Sequence, residues 1–131
     1  MKKFMIYGLL LIFAFTACKK KPLDYRNKYM GDWRFDVKKS SYNVVGPGMY
    51  EESDEVYDGS IAFGASDSTI VIRYTETNEI SVSINVEGKL GAFPTHYCSG
   101  EFTDKENLTL FLRWGGLGGG VSHSVTGKKK K

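Results

Sequence analysis

Three side chains of this chain, His96, Cys98 and His123, are of the types that ligate zinc or that pair as nucleophile and base. On strands of a meander all three can share an inner face, with an intervening strand between Cys98 and His123. A closed zinc site takes four ligands, and no fourth is evident, so no metal is expected. A cysteine nucleophile needs an oriented base and an oxyanion site; the sequence identifies neither, and Cys98 reads as a small buried hydrophobe. The run EESDEVYD, Glu51 to Asp58, gathers carboxylates. Its spacing departs from the calcium loop D-x-[DN]-x-[DN]-G, and it reads as a solvated loop. GGLGGG, Gly115 to Gly120, is no phosphate cradle, because such loops open a helix and this one leads into another strand pattern. No catalytic residue, metal or cofactor follows, and the chain is not read as an enzyme.

What would position such side chains is a set of short strands. Trp33, Phe35 and Val37 alternate with Asp32, Arg34 and Asp36. Ile61 and Phe63 share a side, as do Ile70, Ile72 and Tyr74. Ile80, Val82, Ile84 and Val86 face in, against Ser81, Ser83 and Asn85. Leu108, Leu110, Leu112 and Trp114 make a further inward row, and Val121, His123 and Val125 the last. Gly46-Pro47-Gly48, GASDS from Gly64, TETN from Thr75, Glu87-Gly88 and DKEN from Asp104 punctuate them, and GGLGGG is expected as a long hairpin loop.

The pattern gives about eight strands with short connections, which favour antiparallel neighbours. One side of nearly every strand is apolar, and no helical period is present to cover it. The expected fold is therefore all-β, an up-and-down barrel over residues 29–127, with a two-sheet sandwich as the alternative. Polar outer faces are the reverse of what a membrane-spanning barrel needs. The bulky inward residues predict a mostly filled interior.

The formal charge of +3 is unevenly laid out. Of 18 Lys and Arg, Lys2 and Lys3 stand at the start, Lys19 to Lys21 follow Cys18, and Lys128 to Lys131 form a basic tail. Nine remain between Pro22 and Gly127, against all 15 Asp and Glu. An acidic body argues against nucleic acid as a partner. The basic ends read as solvated tails or as segments drawn to anionic head groups.

At the N-terminus, Lys2 and Lys3 precede an apolar run from Phe4 to Phe15, too short for the roughly 20 residues that span a bilayer. FTAC, with the small Thr16 and Ala17 before Cys18, resembles the lipobox of bacterial lipoproteins, with Phe15 where that family usually has Leu. The resemblance implies a signal peptide over 1–17, a diacylglyceryl thioether at Cys18 with palmitate-type chains, and a lipidated tether over 18–28. A thioether at Cys18 leaves Cys98 without a disulfide partner. By lipoprotein sorting rules, Lys19 implies the outer membrane, and the non-acidic KKKP its periplasmic face.

GDW, Gly31 to Trp33, resembles the G-x-W signature of lipocalins, whose Trp plugs one end of the barrel. Arg113 is the nearest match to the Arg that packs over that Trp, and its facing requires a bulge. Lipobox, GDW, meander and the VTGKK ending together resemble the small lipocalin-like lipoproteins of Bacteroidota. The reading this supports is a cell-envelope binding module anchored in the membrane by its lipid, taking a small hydrophobic ligand or a protein partner. The alternative is an inhibitor of a secreted hydrolase acting through its hairpin loops. DST, Asp67 to Thr69, resembles the O-glycosylation sequon of that phylum and points to Ser68 on an exposed turn.

Replacing Cys18 by Ser should abolish incorporation of labelled palmitate and leave the leader uncleaved, as read by mass spectrometry of the membrane fraction.

Overall fold

The computed structural model describes residues 23–44, 50–91 and 97–131. The leader, Cys18, the Gly46-Pro47-Gly48 segment and His96 lie outside the described residues. A 3₁₀ turn, Asn27–Tyr29, precedes eight strands. These are β1 Gly31–Asn43, β2 Tyr50–Phe63, β3 Thr69–Arg73, β4 Glu79–Ile84, β5 Lys89–Gly91, β6 Tyr97–Asp104, β7 Asn107–Gly116 and β8 Gly119–Lys129. Each is antiparallel to the next, and β8 pairs back onto β1, so the sheet closes into an up-and-down barrel. Every strand takes both neighbours from residues 31–129, so closure needs nothing from residues 1–22.

The alternation read from the sequence sets the inside. Trp33, Phe35, Val37, Ile61, Ile70, Ile72, Val82, Leu108, Leu112 and Val125 are all buried in one cluster. Their neighbours Arg34, Asp36, Ser81, Thr109 and Thr126 face solvent. The two largest interior rings fit because the strands beside them are bare. Gly59 of β2 lies opposite Trp33, and Gly127 of β8 opposite Phe35. A Cβ on Gly127 would stand 2.9 Å from the Phe35 ring and 3.3 Å from that of Trp33.

The base is sealed by the segment ahead of β1. Trp33 Nε1 donates to the Tyr29 carbonyl at 2.8 Å, and the Tyr29 ring stacks on Phe102 at 3.9 Å. The Tyr25 hydroxyl donates to the Ile84 carbonyl at 2.8 Å. Arg26 is buried and gives hydrogen bonds to the Ser66 and Thr69 carbonyls, while Asp24 holds its other edge at 2.6 Å. That guanidinium, by its hydrogen bonds, keeps the Asp24 carboxyl below its usual value. Asp24, Tyr25 and Arg26, expected as tether, are thus part of the plug. Gly88 has φ +83° in the β4–β5 turn under Tyr29, a left-handed conformation that favours glycine.

Several expectations are corrected. Glu51 to Asp58 is not a loop: it is the first part of the 14-residue β2. Its carboxylates lie across from the basic residues of β1, with Lys39–Glu55 at 3.2 Å and Lys38–Glu52 and Arg34–Asp58 each at 3.9 Å. GGLGGG is not a long loop. β7 runs through Gly116 and β8 starts at Gly119, so the turn is Leu117 and Gly118 alone. Phe63, expected inside, is 47% exposed at the base rim under the Arg26 guanidinium, 4.7 Å from its ring. Val86 sits in the β4–β5 turn and Val121 above the rim, both exposed, because neither position has core beneath it. Arg113 does not cover Trp33. The β7–β8 register runs without a bulge, so the alternation leaves Arg113 outside, with its guanidinium at 3.5 Å from the Tyr42 hydroxyl. Lys128 and Lys129 belong to β8 rather than to a tail.

Strand lengths shape what is left. β1, β2, β7 and β8 have 13, 14, 10 and 11 residues, whereas β3, β4 and β5 have five, six and three. The strands β2–β1–β8–β7 therefore rise as a tall wall above the low rim at the end opposite the plug.

Gly127→Ala should destabilise the barrel by about 1–3 kcal/mol through overpacking against Phe35. Chemical denaturation should show Phe35→Leu in the same chain returning part of that loss, because the two positions share one volume.

Candidate functional site

The inner faces of β6, β7 and β8 carry the residues of chemical interest. Register sets Cys98, Leu112 and His123 side by side on β6, β7 and β8. Cys98 and His123 are therefore two strand spacings apart, roughly 10 Å, with Leu112 between them. Among the described residues no three His, Cys, Asp or Glu side chains stand together in a way that would hold a metal ion.

The partner of His123 is one that the sequence did not single out. Tyr74, just past β3, crosses the barrel, and its hydroxyl lies 2.8 Å from His123 Nδ1. Trp114 sets its ring edge against the imidazole at 4.8 Å. Burial pushes the Tyr74 hydroxyl well up, with the Cys98 thiol as a lesser cause. Burial likewise pushes the Cys98 thiol up. It pushes the His123 imidazole down, Lys39 adding to the effect and Glu55 opposing it. All three groups are thus held in their neutral forms. A thiol held neutral is a poor nucleophile. The arrangement makes a hydrogen-bonded floor rather than an activated base.

Above that floor the wall is polar and concave. A cleft of about 560 Å³ is lined by Ser41, Asn43, Glu51, Trp114 and Val121 together with the glycines of the β7–β8 hairpin. A second recess of about 260 Å³ shares Ser41, Glu51 and Val121 with it and adds Lys39, Ser53 and His123. The glycines make the wall thin. Tyr42 lies across β8 and donates to the Gly116 carbonyl on β7 at 3.1 Å. A Cβ on Gly120 would stand 3.0 Å from the Tyr42 ring, so the bare strand is what lets β1 reach β7.

The remaining expected sites lie elsewhere. Ser68 is exposed in the β2–β3 turn, where its carbonyl accepts from the Ile84 amide at 2.8 Å. Cys18 and His96 lie outside the described residues.

Fold and site define an eight-stranded up-and-down barrel with a plugged base, a filled middle and a polar, one-sided mouth. No family model matches the chain, and no curated protein or solved structure matches it either.

The depressed His123 value fixes a sign. The unfolded chain protonates this residue around its ordinary 6.5 while the folded chain resists, so the unfolded state binds more protons as pH falls past that value. Stability should therefore drop as pH falls from about 6.5, with a limiting slope of ~1.4 kcal/mol per pH unit. Urea unfolding across that window should show a shallower slope for His123→Gln, which keeps an acceptor for Tyr74.

Proposed function

We propose that this chain is a cell-envelope lipoprotein of lipocalin-like type, held at the periplasmic face of the outer membrane by lipid on Cys18. On this reading it is a non-enzymatic module that binds a small amphiphilic molecule at its mouth. The observation that carries the reading is the 560 Å³ cleft on the tall wall, a volume within the roughly 300–1,000 Å³ of small-molecule sites. Its chemistry sets the ligand class. Trp114 and Val121 offer an apolar surface, while Ser41, Asn43 and Glu51 offer acceptors and hydroxyls to fix orientation. The packed cluster of Trp33, Phe35, Ile70, Ile72 and Leu112 supports occupation at the mouth rather than deep in the barrel.

The hydrolase-inhibitor reading has one feature in its favour. Leu117 is fully exposed at the tip of a two-residue turn. The Val44 amide, donating to the Gly118 carbonyl at 3.3 Å, braces that turn against β1. A rigid apolar tip of this kind is a wedge that fits a partner's pocket.

Native mass spectrometry of the gently extracted protein separates the two. A small-molecule adduct whose affinity falls roughly 30-fold in Trp114→Ala and is unchanged in Leu117→Asp supports the cleft. A co-purifying hydrolase lost in Leu117→Asp and retained in Trp114→Ala supports inhibition.

A further inference from the structure

We infer that one side of the barrel's base is a docking surface for anionic phospholipid head groups, distinct from the lipid proposed at Cys18. Lys28 from the 3₁₀ turn, Lys105 from the β6–β7 turn and Lys129 to Lys131 from the end of β8 converge on one recess of about 230 Å³. Glu106 is the one acidic side chain lining it. The backbone holds these lysines in place: the Lys129 amide donates to the Glu106 carbonyl and the Lys130 amide to that of Asp32, each at 2.9 Å. Lys129 Nζ donates to the Lys28 carbonyl at 2.8 Å.

Gathering ammonium groups at one place costs mutual repulsion, and the nearby carboxylates offset only part of it. Asp24 holds Arg26, and Asp104 caps the β6–β7 turn through the Glu106 amide at 2.7 Å and the Asn107 side chain at 2.8 Å. Asp58 faces Arg34 and Lys130, the latter at 3.4 Å. Among the described residues Lys130 is the one lysine of the five in an ion pair. A sheet of phosphates would relieve the repulsion that remains.

Direction argues for a bilayer. Leu23, the first described residue, is exposed at this same end, shortly after the cysteine that the proposed function lipidates, and to that extent the inference rests on that reading. Lysines are point charges suited to head-group phosphates, whereas a nucleic-acid strand would ask for a basic track with aromatic stacking platforms. Each lysine near an anionic surface should be worth ~5-fold in binding.

The test uses residues 23–131, which close the barrel unaided and carry no lipid. They should co-sediment with phosphatidylcholine vesicles containing phosphatidylglycerol, not with phosphatidylcholine alone, and release as salt is raised. Lys28→Gln with Lys105→Gln should weaken binding ~25-fold, and Lys38→Gln, on the upper half of β1, should leave it unchanged. No binding to anionic vesicles at low salt would overturn the inference, as would an equal loss in Lys38→Gln. Retention of a single-stranded oligonucleotide without vesicle binding would reassign the lysines to nucleic acid. None of these outcomes bears on the ligand at the mouth.

Discussion

Closure hangs on β1, whose backbone is paired along its length with β2 on one side and β8 on the other. The double pairing is possible because the first and last strands meet where inward bulk is balanced by inward absence. Trp33 and Phe35 fill the space that Gly59 and Gly127 leave empty. A side chain at either glycine would press the walls apart where the sheet joins itself. Once the join holds, β1 and β8 cover each other's edges, and the apolar sides of all eight strands share one interior; among the described residues, residues 50–59 of β2 keep a ladder partner on the β1 side alone.

Closure also assigns roles to the two ends. At the base, Tyr25, Arg26, Tyr29 and Phe102 cover Trp33 and satisfy backbone carbonyls that the turns leave open. At the mouth no such lid is formed by the described residues, and polar groups reach inward. Tyr74 and His123 are tolerated there because each satisfies the other, which avoids the roughly 1–3 kcal/mol of a buried unpaired polar group. The same burial disfavours charge on both. The mouth therefore presents a fixed hydrogen-bonded pair beside Trp114.

Where a strand has core beneath it, its sequence showed it. Ile80, Val82 and Ile84 alternate with serines, and Leu108, Leu110 and Leu112 repeat the pattern; both rows point inward in the structure. Glu51 to Asp58 was misread for the complementary reason. Most of that stretch lies alongside the upper part of β1, where both faces meet solvent, so no apolar side marks the period. GGLGGG misled similarly: its glycines belong to strands that must lie close under Tyr42, a reason that is tertiary and leaves no local trace. The sequence leaves the facing of Cys98 ambiguous; in the structure Cys98 and His123 both lie inward, with β7 between their strands. Tyr74 was read as core filler, because a tyrosine at an inward position looks the same whether its hydroxyl is idle or bound across the barrel.

The two ends also differ in charge, and the difference follows from the same strand lengths. β2 carries Glu51, Glu52, Asp54 and Glu55 up the tall wall, while β8 ends its run at the base in Lys128 and Lys129. An antiparallel meander puts the start of one strand beside the end of its neighbour, so a chain that is acidic early in β2 and basic late in β8 becomes polar along the barrel axis. In the docking proposed above, lysines beside the plug would turn that end toward phosphates, and carboxylates on the wall would turn the other end away from them. With Trp114 and Glu51 on that far end, the orientation of the proposed docking would also leave the cleft facing solvent.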